Sequence, residues 1–101
     1  MPDTPNYLDS LAAEIGLLAP SCPVPLLRIY AVLALAKGSE VTLEDVHNSW
    51  VAWQAETLPD HPSLVPFGDL SPVKQAMDAP YRDAIAAVAG RLAFKGSDVD
   101  A

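Results

Sequence analysis

A single cysteine, Cys22, stands in a chain of 101 residues, which rules out an internal disulfide and any Cys-pair spacing of the kind that marks structural zinc. A reducing, cytoplasmic location is the expectation. Basic residues are scarce too: 6 Lys and Arg face 13 Asp and Glu, for a net charge of −7. That balance repels phosphate backbones and argues against general nucleic-acid or anionic-membrane binding. A small anion would need a local basic spot, and Arg28, Lys74, Arg82, Arg91 and Lys95 are the cations for one. All five glycines are isolated, so neither a P-loop nor a dinucleotide-binding turn can be drawn. The opening "MPDTPNYLDS" has no basic region followed by a hydrophobic one, so secretion through a signal peptide is not expected. No long apolar run survives inspection either. The stretch from Ile15 to Ala36 is interrupted by Pro20, Pro23, Pro25 and Arg28, and reads as a turn followed by a buried helix, not a membrane span.

What is present is helical periodicity punctuated by ten prolines, in a chain half of whose residues are apolar. Thr4-Pro5 resembles a cap with proline at the first helical position, and Leu8, Leu11, Ala12 and Ile15 then share a face up to Gly16 or Leu17. "APSCPVP" cannot be regular, because each proline removes a donor and restricts its predecessor. Pro25 to Lys37 is apolar around nearly its whole circumference, which predicts a central helix surrounded by other helices or by a second subunit. Gly38 supplies its cap. Thr42, with Glu44 and Asp45 in the first turn, opens a third helix that Pro59 ends. Ser71-Pro72 starts a short helix through Met77, and Asp78 with Pro80 starts the last, whose buried face is Tyr81, Ala84, Ile85, Val88 and Leu92. The expected architecture is a small all-α domain over residues 1–95, of four main helices plus a short one, with an extended proline-rich loop packed across it. Residues 96–101 read as a disordered tail.

Catalytic signatures are poor. No nucleophile-elbow pattern surrounds any serine or Cys22, and the separations of His47, Asp60, His61 and Asp69 match no metal signature. No enzyme, metal or cofactor is therefore expected. Trp50 and Trp53, three residues apart, read first as core or interface residues, and lining a pocket is the minority reading. His47 precedes Trp50 by one turn and reads as a satisfied, half-buried histidine. His61, before Pro62 in the loop, is freer to face a cavity.

The segment 46–88 resembles the ryanodine-receptor repeat, a small helical module of animal calcium-release channels and of bacterial and phage proteins. His47, Ser49 and Trp50 in "VHNSW", then "HPSLVPF" at 61–67, Leu70, and Asp78 with the later "AIAAV" carry the likeness. Only "VAWQAETLPD" separates Trp50 from His61, so the family's usual Gly-Trp-x-Tyr-Gly segment is missing. The resemblance implies that residues 61–67 pack across the helices. It also implies a non-enzymatic binding module for a nucleotide-derived signal, acting as a sensor or by sequestration, with a phage-encoded protein that counteracts host defence as one setting. In that reading Trp50, Trp53 and Tyr81 stack a base, His61 faces it, and Arg82 or Arg28 meets phosphate. The competing reading is a helical interaction protein, a homodimer or adaptor joined through the central helix and the tryptophan stripe. Neither reading involves nucleic acid or a membrane.

Overall fold

The computed structural model describes the backbone of residues 6–100 and the side chains of residues 6–92. Five α-helices follow one another: α1 (Tyr7–Leu18), α2 (Val24–Lys37), α3 (Leu43–Gln54), the short α4 (Pro72–Ala76) and α5 (Ala79–Asp100), with 3-10 turns at Gly38–Glu40 and Phe67–Asp69. There is no strand among the described residues, and the domain is all-α with four main helices and a short one. The expected tail from residue 96 falls outside the residues whose side chains are described.

The starts of α1 and α3 can be traced to side-chain chemistry at the helix end. The Thr4-Pro5 start expected for α1 lies outside the described residues; within them the cap is Asn6, whose side chain accepts from the Asp9 amide at 2.9 Å while the Asp9 carboxylate accepts from the Asn6 amide at 3.4 Å. This reciprocal box satisfies two helix-end donors at once. The same device opens α3, where Thr42 and Asp45 exchange bonds of 3.1 and 2.9 Å. Burial raises the Asp45 pKa, but the Thr42 bonds and the Lys37 charge outweigh it and hold the carboxyl below its usual range. Proline starts α2 one residue earlier than expected, with Pro23 as cap and Pro25 in the first turn. Gly38 ends it at φ 62°, a region that favours glycine. Regular α3 stops at Gln54, and turns carry the chain on to Leu58, beyond which Pro59 can donate nothing.

α2 is central, packing against α1, α3 and α5. Ile15, Tyr30, Val46, Ile85 and Val88 are the largest side chains fully withdrawn from solvent, and they knit α1, α2, α3 and α5 into one core. Gly16 lets α1 come close to α2, since a Cβ there would meet Leu27 Cδ1 at 3.0 Å. Of the two expectations for α2, complete cover by the other helices of the chain is not met: Val24, Val32 and Leu35 are about half exposed or more. Three neighbouring helices occupy only part of its circumference, and its fourth face meets solvent. No described helix is long and apolar enough to cross a membrane.

The loop after α3 packs back across the bundle as expected. His47 Nε2 donates to the Val65 carbonyl at 2.6 Å, which requires the proton on that nitrogen because a carbonyl only accepts. Gln75 Nε2 donates to the carbonyls of Phe67 and Leu70 at 3.0 and 3.2 Å, fixing the far end of the loop to α4. Backbone turns shape the loop itself, with the His61 amide donating to Leu58 and the Leu64 amide to His61, while side chains supply the bonds that hold it to α3 and α4.

Candidate functional site

Between the proline turn before α2, the C-terminal half of α3, the loop and the α4–α5 junction lies an open cavity of about 460 Å³. Pockets that hold drug-sized ligands fall in this range. α2 and its preceding turn contribute Cys22, Leu26 and Tyr30; α3 contributes His47, Trp50 and Trp53; the loop adds His61, Ser63 and Leu70. Lys74, Met77, Asp78 and Tyr81 close the remaining side. The lining mixes aromatic rings and apolar side chains with several polar groups, among them Ser21, Ser63, Lys74 and Asp78.

The rings hold one another by their edges and faces. His47 stacks on Trp50 with centroids 5.8 Å apart, Trp50 meets His61 edge-on at 5.1 Å, and His47 tilts against Phe67 at 6.0 Å. A second pair, Tyr30 and Tyr81, sits at 5.9 Å. Such spacings are those of favourable aromatic pairs. His61 is oriented by its own loop, its Nδ1 accepting from the Ser63 amide at 3.0 Å. Trp50 and Trp53 are only partly buried, packed against the core on one side and facing the cavity on the other.

Four of the five residues expected at a ligand are therefore brought together: Trp50, Trp53, His61 and Tyr81. Arg82 is not among the lining residues; its Nε pairs with Asp83 at 2.8 Å on the surface. The reason is helical geometry, since a residue next to Tyr81 points about 100° away from it. Arg28 is likewise engaged elsewhere, with Asp9 at 3.3 Å. The cation at the cavity is Lys74, an exposed residue whose Nζ donates to Ser63 Oγ at 3.3 Å.

Sequence reasoning also passed over Tyr30 and Asp78 as site residues. Tyr30 carries one of the few polar groups on an otherwise apolar helix, which is a signal for it. Asp78 had been absorbed by its position before α5, yet its Oδ2 is buried and has no hydrogen-bond partner. Burial raises its pKa, against a smaller opposing influence from His47. Burial also raises Tyr30 far above its ordinary value, with Cys22, Asp78 and Tyr81 adding to the effect. The Cys22 thiol is pushed up to about 11 by burial, so at neutral pH it is a protonated, apolar wall and not a thiolate nucleophile. His47 is 2% exposed, more deeply buried than its expected half-buried state, and its bond to Val65 is what satisfies it. Among the described residues no three His, Cys, Asp or Glu side chains gather as metal ligands.

Comparison with curated proteins and with solved structures finds no match. A family profile does match residues 6–90, a span that contains every residue lining the cavity. The chain belongs to that family, described as a domain of unknown function (DUF7701).

Proposed function

We propose that the domain is a non-enzymatic binding module whose cavity receives a nucleotide-like small molecule. The observation that carries this reading is a hollow of about 460 Å³ walled by Trp50, Trp53, Tyr30 and Tyr81, with one ammonium group, Lys74, among its lining. Aromatic faces suit a planar heterocycle, and a lysine at an exposed position suits a phosphate that stays in water. The likeness of residues 46–88 to the ryanodine-receptor repeat supports the same ligand class. With a lining of this kind the domain acts by holding its ligand, as a sensor or by sequestering a nucleotide-derived signal inside the cell, and a phage protein that blunts a host alarm is one setting in which the resemblance would place it.

A thermal-shift series with adenine and guanine mono-, di- and cyclic nucleotides tests the reading. Ligand at about 100 times its dissociation constant adds about 2.7 kcal/mol to the folded state. The expected result is a rise in Tm that is lost in Trp53→Ala. A folded protein that shows no shift with any nucleotide at millimolar concentration would sink the proposal.

A second reading, self-association, is favoured by one observation: Val24, Val32 and Leu35 of α2 and Leu17 and Leu18 of α1 are exposed apolar side chains. Light scattering on the untagged chain tests it. A monomer at high micromolar concentration removes it.

A further inference from the structure

Nearly every cation of this domain is matched to a carboxylate. Of its six basic residues, Arg28, Lys37, Lys74, Arg82 and Arg91 have described side chains. Four of them form ion pairs, Arg28 with Asp9, Lys37 with Asp45, Arg82 with Asp83 and Arg91 with Glu14, at 2.8 to 3.6 Å. Among the described residues Lys74 alone has no such pair, although acidic residues outnumber basic ones by 13 to 6. It is also the one cation of the five that lines the cavity.

The partner of Lys74 is a hydroxyl. Its Nζ donates to Ser63 Oγ at 3.3 Å, in a contact that is exposed and so open to a ligand. Ser63 accepts there and keeps its own O–H to give, while the ammonium group keeps two further N–H donors. Both segments are anchored. The Ser63 amide donates to His61 Nδ1 at 3.0 Å, His47 ties the loop to α3 through Val65, and Gln75, next to Lys74, ties it to α4 through Phe67 and Leu70. The two side chains are thus brought together before any ligand arrives, which lowers the cost of ordering them on binding.

We propose that Lys74 and Ser63 form a seat for a single phosphate group, and that the cavity therefore takes nucleoside monophosphates in preference to di- and triphosphates. This rests on the reading of the cavity as a nucleotide pocket. The seat offers N–H and O–H donors to the oxygens of one phosphate, with the charged donor giving the stronger bond. Rings and seat line the same hollow, so the phosphate next to the sugar is the one within reach. Further phosphates would extend beyond the seat, where the charges oppose them. No other Lys or Arg lines the cavity, Asp78 is part of its wall, and Asp60 lines the smaller hollow that shares His61. Each added phosphate brings negative charge, with no cation to meet it, to a chain of net charge −7. Nor do the isolated glycines supply the run of amides that cradles a polyphosphate.

The test is calorimetric titration of the full chain in magnesium-free buffer with adenosine, AMP, ADP and ATP and with the matching guanosine series, repeated on Ser63→Ala. Within a series that binds, the monophosphate should be about 10-fold tighter than the nucleoside, and the di- and triphosphates progressively weaker than the monophosphate. Added salt should narrow the gap between mono- and triphosphate, because it screens the repulsion. Ser63→Ala should lose about 3- to 10-fold in monophosphate affinity and leave the nucleoside unchanged. Circular dichroism checks that the variant is folded. A triphosphate that binds as tightly as the monophosphate would overturn the proposal. So would monophosphate affinity unchanged in folded Ser63→Ala, or an equal loss for the nucleoside. Each of these results leaves the pocket reading intact, whereas absence of binding by every nucleoside and nucleotide to the unaltered chain would overturn both.

Discussion

Two regions of this small domain are built on opposite plans. Among the residues whose side chains are described, every buried one lies within 11–47 or 84–89, in the part made by α1, α2, the start of α3 and the middle of α5. From residue 48 to residue 83 not one residue is buried, although both tryptophans, Phe67 and Tyr81 are there. Interiors are close-packed, so large rings that belonged to a core would be withdrawn from water almost completely. These rings are held by neighbouring rings and by a loop instead, and the space between them stays open. The lesson is that helical spacing of aromatics marks a shared face, and what covers that face is a separate question. Tyr30 shows how the two plans meet: it is 1% exposed, a core residue by burial, and it still forms part of the cavity wall.

The largest expected effect tests this contrast directly. Ile85 is 0% exposed, and Ile85→Ala should cost about 2–5 kcal/mol in urea unfolding, because it leaves a cavity that its neighbours cannot fill. Trp53→Ala removes a larger side chain from the open region and should cost less than Ile85→Ala, while abolishing any nucleotide-induced Tm shift. If the tryptophan variant proves the less stable of the two, the distinction between the regions fails.

Next in size is the link between them. His47 stands on core-facing α3 and donates to the loop carbonyl of Val65, so His47→Ala strands a partly buried acceptor and removes the stacking surface for Trp50. A loss of about 1–3 kcal/mol is expected. Hydrogen exchange should locate the change: amides of the loop between α3 and α4 should exchange faster, with α1 and the middle of α5 less affected. Uniform acceleration throughout the chain would mean that the loop is no separate unit.

Much of the fold was legible because its signals are local. Thr42, Ser71, Gly38 and the prolines set helix ends through contacts within a few residues, and periodicity marked Ile15, Ile85 and Val88 as core. At the start of α1 the Asn6–Asp9 pair was passed over, although its spacing of three is a local signal. The site was half legible. Residue type and spacing read Trp50 and Trp53 first as core and Tyr81 as part of a buried face; their place at a pocket was implied by the resemblance, His61 was suggested by its position in the loop, and the cavity is lined by all four. Having Lys74 there in place of Arg82 depends on how α4 and α5 are rotated about their axes, a property of packing between distant segments. The unsatisfied carboxylate of Asp78 was beyond reach for the same reason: position suggested a cap, and only three-dimensional contacts reveal that it caps nothing.

A smaller effect, of opposite sign in the two regions, follows from the two perturbed aspartates. Asp78 lies at the cavity with its pKa raised above the ordinary value of 3.8, so the folded state holds its proton longer than the unfolded chain. The wild type should therefore lose stability relative to Asp78→Asn as pH rises from below 3.8 through the folded pKa, and the Asn variant should have the higher Tm at neutral pH. Asp45 caps α3 with its pKa lowered, so its contribution is present above 3.8 and lost as pH falls through the lower folded value; Asp45→Asn should be the less stable protein at neutral pH. Measuring both variants between pH 3 and 7 gives the comparison, and two differences of the same sign would contradict it.

The smallest expected change separates the cation chosen by packing from the one suggested by spacing. Arg82 is paired with its neighbour Asp83 at the surface, an arrangement worth little, so Arg82→Ala should alter stability by less than about 0.5 kcal/mol and leave nucleotide affinity as it was. Lys74→Ala should be equally mild toward unfolding, since its hydrogen bond to Ser63 is exposed. It should nonetheless weaken nucleoside monophosphates while leaving the corresponding nucleosides unchanged, because only the phosphate needs the ammonium group. Salt supplies the control: the advantage of monophosphate over nucleoside should shrink as ionic strength rises and vanish in Lys74→Ala. Phosphate dependence that survives Lys74→Ala and disappears in Arg82→Ala would mean that the ligand lies along the outer face of α5, and the aromatic cavity would lose its claim to be the site.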